Sequence, residues 1–255
     1  MKIAIAIAHN FPSYSRKFIE SFLLVVQSFY AWNATIGNKH ELVILINKDG
    51  WIDRMREMLA KEALEKEVDC IMWMDSDQRF PPTLVQQMVE NLEANPEVDA
   101  ITGLYIWKQP PFVPHAYAQY DPMDDRFLVA CGFPLNKPFR VEGAGFGCLM
   151  MRSSLLKKRS YPRFQFQYGV YGEDLYFFRE FFKQGIPFLM LCDPTINCTH
   201  LTEQEVDIQS YINYNKLEVK DGMIQVDNAT VDRLTKFEKA LTDKFKSEID
   251  TGETK

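Results

Sequence analysis

Apolar runs of strand length alternate with apolar positions at helical spacing along the first hundred residues. Residues 2 to 8, Lys-Ile-Ala-Ile-Ala-Ile-Ala, are nearly all apolar, which predicts a strand buried on both faces. Phe18, Phe22, Val25, Val26 and Phe29 recur every three or four residues and predict a helix. A second strand is expected over Glu41 to Asn47 and is broken by Asp49-Gly50. Ile52, Met55, Leu59 and Ala63 then mark another helix, and Asp69 to Met74 a third strand. Pro81-Pro82-Thr83 opens a helix whose Leu84, Val85, Met88, Val89 and Leu92 face the sheet. Asn95-Pro96 ends that helix, and Val98 to Trp107 reads as the fourth strand. Strand and helix repeating about every 30 residues predict βαβ units and a largely parallel sheet.

Beyond this point the pattern degrades. Residues 108 to 140 are rich in proline and aromatic residues and predict a long loop or hairpin region, a place where function is often found. Phe146 to Met151 predicts a strand, with Ser153 and Ser154 as candidate caps of a short helix. Asp174 to Lys183 predicts a helix with Leu175, Phe178, Phe181 and Phe182 on one face and Gly185 just past its end. Pro187 to Cys192 predicts a further strand. After about residue 205 the chain turns polar, and residues 229 to 248 carry a weak helical period. The expected organisation is therefore one α/β domain over 1–215 and a helical extension over 216–255.

Composition narrows the function classes. With 255 residues the chain can bury a large core, and its net charge of -6 with no long basic run argues against a general nucleic-acid binder. The apolar amino terminus lacks a small-residue cleavage site, so a first strand is a better reading than a signal peptide. No run of about eighteen apolar residues predicts a membrane span. The five cysteines are odd in number and contain no Cys-x-x-Cys, which fits buried free thiols in the cytosol. Cytoplasmic localisation is the expectation, and the Asn-x-Thr triplets are then chance matches.

The chemistry concentrates after the third strand. Cys70-Ile71-Met72-Trp73-Met74 is followed at once by Asp75-Ser76-Asp77. Two acids cannot be buried unpaired, so they sit at the strand's carboxyl end, where open α/β sheets bind ligands. Carboxylates at this spacing suit a hard cation such as Mn²⁺ or Mg²⁺ holding substrate phosphates. The plainer alternative is a pair of acids that only caps the next helix. Downstream lie Gly143-Ala144-Gly145-Phe146-Gly147 before a strand, Tyr171-Gly172-Glu173-Asp174 opening a helix, and His200 after another strand.

Taken in order, these four motifs resemble the GT-A glycosyltransferases, particularly the large inverting family that uses nucleotide-sugars, over about residues 1 to 205. The resemblance implies a Rossmann-like, mostly parallel sheet flanked by helices and a sugar donor of the nucleoside diphosphate type, with UDP-sugars favoured. Asp75, Asp77 and His200 are the implied metal ligands. Asp174 is the implied general base, with Glu173 touching the acceptor or positioning Asp174. The nucleotide is expected over the ends of the first three strands, at His9, Asn10, Asn47 and Asp49, with Arg54 or Arg56 near the uracil or diphosphate, Asp75 beside it and Gly145 close to the donor sugar. The first turn, His-Asn-Phe-Pro, lacks the acid often found there, which leaves the base open. Trp107, Lys108, Phe112, His115 and Tyr117 follow the fourth strand, where aromatics stack on sugars or fill a small core.

Each assignment has a structural counterpart. Acids in a first helical turn are favoured by the helix dipole alone, and a histidine after a strand can be a satisfied core residue. Two rival functions share the scaffold. A sugar-nucleotide nucleotidyltransferase would carry a glycine-rich basic signature after the first strand, yet residues 9 to 17 hold no glycine. A non-catalytic carbohydrate- or partner-binding relative would have no need of both acid pairs and His200. Glycan, protein, lipid-linked sugar, small molecule and modified nucleic-acid base are all open as acceptor, with the acidic charge against the last and the lack of a membrane segment against the lipid.

Overall fold

The computed structural model of the chain describes residues 1–9, 13–167, 171–202 and 205–250. Its first half follows the sequence pattern: β1 (Lys2–Ala8), α1 (Arg16–Thr35), β2 (Glu41–Asn47), α2 (Ile52–Glu65), β3 (Cys70–Asp75), a short β4 (Gln78–Arg79), α3 (Leu84–Ala94) and β5 (Ala100–Leu104). The proline-rich region forms β6 (Ala116–Asp121), β7 (Arg126–Val129) and β8 (Phe139–Val141), followed by β9 (Gly143–Ala144) and β10 (Cys148–Arg152). Then come α4 (Ser153–Lys157), α5 (Glu173–Lys183), β11 (Met190–Asn197), β12 (Thr199–Leu201), β13 (Glu205–Val206) and α6 (Ile208–Asn215). A hairpin of β14 (Glu218–Lys220) and β15 (Met223–Gln225) leads to α7 (Asn228–Asp250).

Seven strands make one sheet in the order β2-β1-β3-β10-β5-β11-β8. β1 is parallel to β2 and β3, and β11 is parallel to β5, whereas β10 and β8 run antiparallel to their neighbours. The sheet is thus mostly parallel, as the βαβ pattern predicts. β10 does not extend the parallel series at an edge but inserts between β3 and β5. Its reversed direction brings the end of the glycine-rich run to the carboxyl end of β3: Cys148 lies opposite Met74, and the Asp75 N–H donates to Gly147 O at 3.0 Å.

Several boundaries differ from the pattern for local reasons. β5 ends at Leu104 because the chain turns into a contact of its own, with Ile106 bridged to Pro114 and the His115 N–H donating to Tyr105 O at 3.0 Å. β11 runs on through Pro194, which a register shift between Asp193 and Asn197 accommodates. Ser153 and Ser154 are the first residues of α4 rather than its caps, and Arg152 takes the cap position. Gly185 has φ +62° just beyond α5, as a residue closing a helix should.

Alternation along the strands sorts the core onto two faces. Ile3, Ile5 and Ile7 pack with Phe18, Val25 and Phe29 of α1, while Ala4, Ala6 and Ala8 face α2 and its Met55 and Leu59. Small side chains on the second face let α2 lie close to the sheet. The extension after residue 215 contributes Ile224 and Leu234 to that same buried cluster. No described helix is long and apolar enough to cross a membrane.

β5 shows how tightly the centre is packed. A Cβ on Gly103 would stand 2.7 Å from Cys148 Sγ and 2.8 Å from Ile196 Cγ2. Gly103→Ala is expected to cost about 1–3 kcal/mol by overpacking. Denaturant unfolding should report this as a lower midpoint at unchanged slope, and a midpoint equal to wild type would contradict the packing described.

Candidate active site

The carboxyl ends of β1, β3 and β5, the start of α5 and the β11–β12 junction surround a cavity of about 590 Å³. Four acids line it: Asp75 at the end of β3 and Asp77 just beyond, and Glu173 and Asp174 in the first turn of α5. His200 lines the same cavity, so the expected metal ligands and the expected acid pair of α5 come together there. Its remaining walls include Arg56, Ser76, Tyr105, Trp107, Lys108 and His115.

The other expected contacts lie elsewhere. Asn47 and Asp49 sit at the end of β2 and bond to each other, the Asp49 N–H donating to Asn47 Oδ1 at 2.9 Å, and neither lines the cavity. Arg54 is exposed on the outer side of α2 and packs against Gly50, while Arg56 points inward. His9 is buried, stacks on Tyr14 and shares a 2.7 Å hydrogen bond with Ser76 Oγ, so it braces the middle of the Asp-Ser-Asp turn. Asn10 lies outside the described residues. At Gly145 the missing side chain makes room for the Tyr105 ring, whose hydroxyl lies 1.8 Å from where a Cβ would stand. Among the aromatics beyond β5, Trp107 and His115 line the cavity, whereas Phe112 packs on Tyr214 and Tyr117 on Phe127.

Two cations divide the acids. Arg56 is 2 % exposed and lies between two carboxylates, its Nη2 donating to Asp75 Oδ1 at 3.0 Å and its Nε to Glu173 Oε1 at 2.7 Å. The rings of Trp73 and Phe146 lie 5.6 and 5.3 Å from the guanidinium carbon. Burial opposes the Arg56 charge, yet Asp75 and Glu173 together hold it above the usual arginine range. Asp75 is pushed upward by burial and by Asp77 and Glu173, against the pull of Arg56. Lys108, on the segment leaving β5, donates to Asp77 Oδ2.

Asp174 is different. Among the described residues no cation is paired with it, and its Oδ1 accepts only from the Leu175 N–H of its own helix, at 2.7 Å. Burial, reinforced by the adjacent Glu173 charge, raises its carboxyl to about 7. A carboxylate held near neutrality beside a cavity can take or give a proton at working pH.

On the opposite wall, Asp77 Oδ1 is buried without a hydrogen-bond partner. His200 Nδ1 faces the carbonyl of Ile106, an arrangement that leaves Nε2 as the acceptor, 3.4 Å from Gln78 Nε2. Burial depresses the His200 pKa, so the ring is neutral as a metal ligand must be. Asp77 and His200 therefore have the donor atoms a divalent cation needs. Among the described residues, however, no three His, Cys, Asp or Glu side chains gather closely enough to hold an ion unaided.

Neither a family model nor a curated protein matches the sequence. Solved structures do match in three dimensions. A197 from STIV superposes with a TM-score of 0.52 at 20 % identity over 79 % of this chain and 86 % of its own. GalNAc-T7, determined with UDP, GalNAc and Mn²⁺, also gives 0.52, at 11 % identity over 86 % of this chain; the match spans about half of GalNAc-T7, 48 %. A glycosyltransferase involved in glycosylation of the major capsid of PBCV-1 aligns over 75 % of the chain at a TM-score of 0.40. The chain has the GT-A fold, a Rossmann-like sheet with its ligand end at the strands' carboxyl termini.

The raised carboxyl carries a stability consequence. Asp174 titrates near 7 in the fold and near 4 in the unfolded chain, so between those values the native state holds the extra proton. Stability from this group is present at low pH and is lost as pH rises toward 7. Asp174→Asn removes that dependence. Its melting temperature should therefore gain on wild type between pH 5 and pH 8, and melting curves with a constant gap would show that Asp174 is not held high.

Proposed function

We propose that the chain is a glycosyltransferase that moves a sugar from a nucleoside diphosphate sugar to an acceptor hydroxyl, inverting the anomeric carbon. The observation that carries this reading is the division of the four cavity acids. Arg56 and Lys108 pair with three of them, and Asp174 is left unpaired and raised to about 7.

In this reading Asp174 accepts the proton of the acceptor hydroxyl as that oxygen bonds to the anomeric carbon. The bond from that carbon to the β-phosphate oxygen breaks, and its electron pair leaves with the nucleoside diphosphate. Asp174 is basic enough to take the proton and ionised in a large share of molecules at neutral pH. Glu173, held by Arg56, keeps the first turn of α5 fixed so that Asp174 faces the cavity. Lys108 stands at the diphosphate end. Asp77 and His200 would hold Mn²⁺ or Mg²⁺, with Asp75 offering only Oδ2 because Arg56 occupies Oδ1. Such ions commonly take one or two carboxylates and complete their shell with water and substrate phosphates. A bound cation of this kind stabilises charge on the departing diphosphate. Trp107 and His115 offer ring faces to a sugar. UDP is the expected nucleotide, in keeping with the ligand of the GalNAc-T7 structure. The five free thiols, four of them buried, support a cytoplasmic setting.

Two measurements test this. In thermal-shift titrations with Mn²⁺, UDP and UDP-sugars should raise the melting temperature more than GDP, CDP or TDP at equal concentration. Asp77→Ala should abolish the Mn²⁺-dependent part of that shift, with His200→Ala weakening it less. Undiminished Mn²⁺-dependent binding in Asp77→Ala would remove the metal assignment. For the base, Asp174→Asn should leave donor affinity nearly unchanged and cut turnover to acceptor by roughly 10²–10⁴. The rise of wild-type kcat/KM toward a plateau above about pH 7 should also vanish in that variant. Near-normal turnover in Asp174→Asn would place the base elsewhere.

A further inference from the structure

Arg56 joins the two acid pairs, and the proposed chemistry uses its bonds to Asp75 and Glu173 one at a time and leaves the bridge between them without a role. Its side chain crosses from α2 to the end of β3 and the start of α5, elements separated by 19 and 117 residues from it in sequence. It is buried and sandwiched near two aromatic rings, a setting that holds a planar guanidinium in one orientation. Two of its nitrogens are used, on Asp75 and Glu173, and the third, Nη1, is buried with no partner.

We infer that Arg56 is a positioning residue. It anchors Asp75 and Glu173 as a bridged pair and thereby decides which member of each acid pair meets the ligand. Each acid pair has one member tied to Arg56 and one that is not. All four line the cavity, but Asp75 and Glu173 are tied, whereas Asp77 keeps an orphan oxygen and Asp174 has no paired cation among the described residues. One guanidinium thus sets the relative place of the strand-three turn and the α5 first turn, which belong to opposite ends of the proposed reaction. Without it, two carboxylates would share a buried space with no counter-charge, and Glu173 would compete with Asp174 for the cavity.

The inference rests on the transferase reading only for its catalytic readout. The test is a double-mutant cycle on the full chain with Arg56→Met, Glu173→Gln and both together, read in melting temperature and in steady-state kinetics. Arg56→Met fills the volume between the rings but leaves Asp75 and Glu173 unpaired, and it should lower the melting temperature by roughly 10 °C. Glu173→Gln removes one of the stranded charges, so the double variant should recover about half of that loss. In kinetics, Arg56→Met should reduce kcat by about 10²-fold with donor KM within about threefold, and the double variant should approach Glu173→Gln alone. Arg56→Lys, which keeps the charge but not the fork, should restore stability better than kcat. Additive losses in melting temperature would overturn the inference, whether or not the wild type turns over. Coupling in melting temperature with strictly additive losses in kcat would also overturn it, reducing Arg56 to a structural ion pair. A wild type that uses no nucleoside diphosphate sugar would bring down the transferase reading instead, and coupled melting temperatures would still support the Arg56 bridge.

Discussion

A single buried cation holds the ligand end of this molecule together. Arg56 lies out of water, so its charge is tolerable only because two carboxylates meet it at hydrogen-bond distance. Those carboxylates come from β3 and α5. The hydrophobic packing beneath does not specify this junction. Phe146, Phe164, Phe177 and Phe178 pack there largely edge to face, and apolar contact, being non-directional, leaves room for small shifts of α5. The fork of the guanidinium does not tolerate them, because both bonds depend on angle as well as distance.

The sheet topology explains why the candidate residues converge at all. β3 brings Asp75 to the carboxyl end, and the antiparallel β10 returns the glycine-rich run to the same end. Gly147 sits there without a side chain because a Cβ would stand 2.1 Å from Gln78 Nε2 and 3.0 Å from Tyr105 Cζ. Tyr105 in turn accepts the Gly147 N–H at 3.1 Å on its hydroxyl. The glycine run thus serves contacts within the chain, between β5, β4 and β10, as the walls of the cavity close.

Much of this was legible in the residues alone. The apolar runs and helical periods of the first hundred residues correspond to β1, β2, β3 and β5, because each apolar strand is flanked by a clear helix; the two-residue, polar β4 has no such signal. The motifs at Asp75-Ser76-Asp77, Glu173-Asp174 and His200 meet in one cavity. The insertion of β10 was not legible, since strand order depends on pairing between segments far apart in the chain, as Cys148 with Met74, and leaves no local trace. Arg56 is a nucleotide-side candidate by sequence, and its spacing carries a further signal: it falls four residues after Ile52 and three before Leu59, on the apolar stripe of α2, where a charge demands a buried partner. Arg54, two residues earlier, falls off that stripe and is exposed. Asn47 and Asp49 suit a ligand by position at a strand end, but side-chain direction is not readable from position, and the Asn47 side chain is spent on Met58 and the Asp49 N–H of the local turn.

The register shift in β11 matters beyond the strand itself. Side chains alternate faces every residue, so the count of residues between Asp193 and His200 determines whether the imidazole points into the cavity or away from it. The irregularity at Pro194 absorbs extra chain without changing the partners on either side, Asp193 on Gly103 and Asn197 on Leu104, and His200 then pairs with Gln78 across β12 and β4. The stretch works as a phase adjuster. The register of β11 on β5 and that of β12 on β4 are thereby set apart from each other, so the central sheet can keep its own pairing while His200 keeps its place in the cavity.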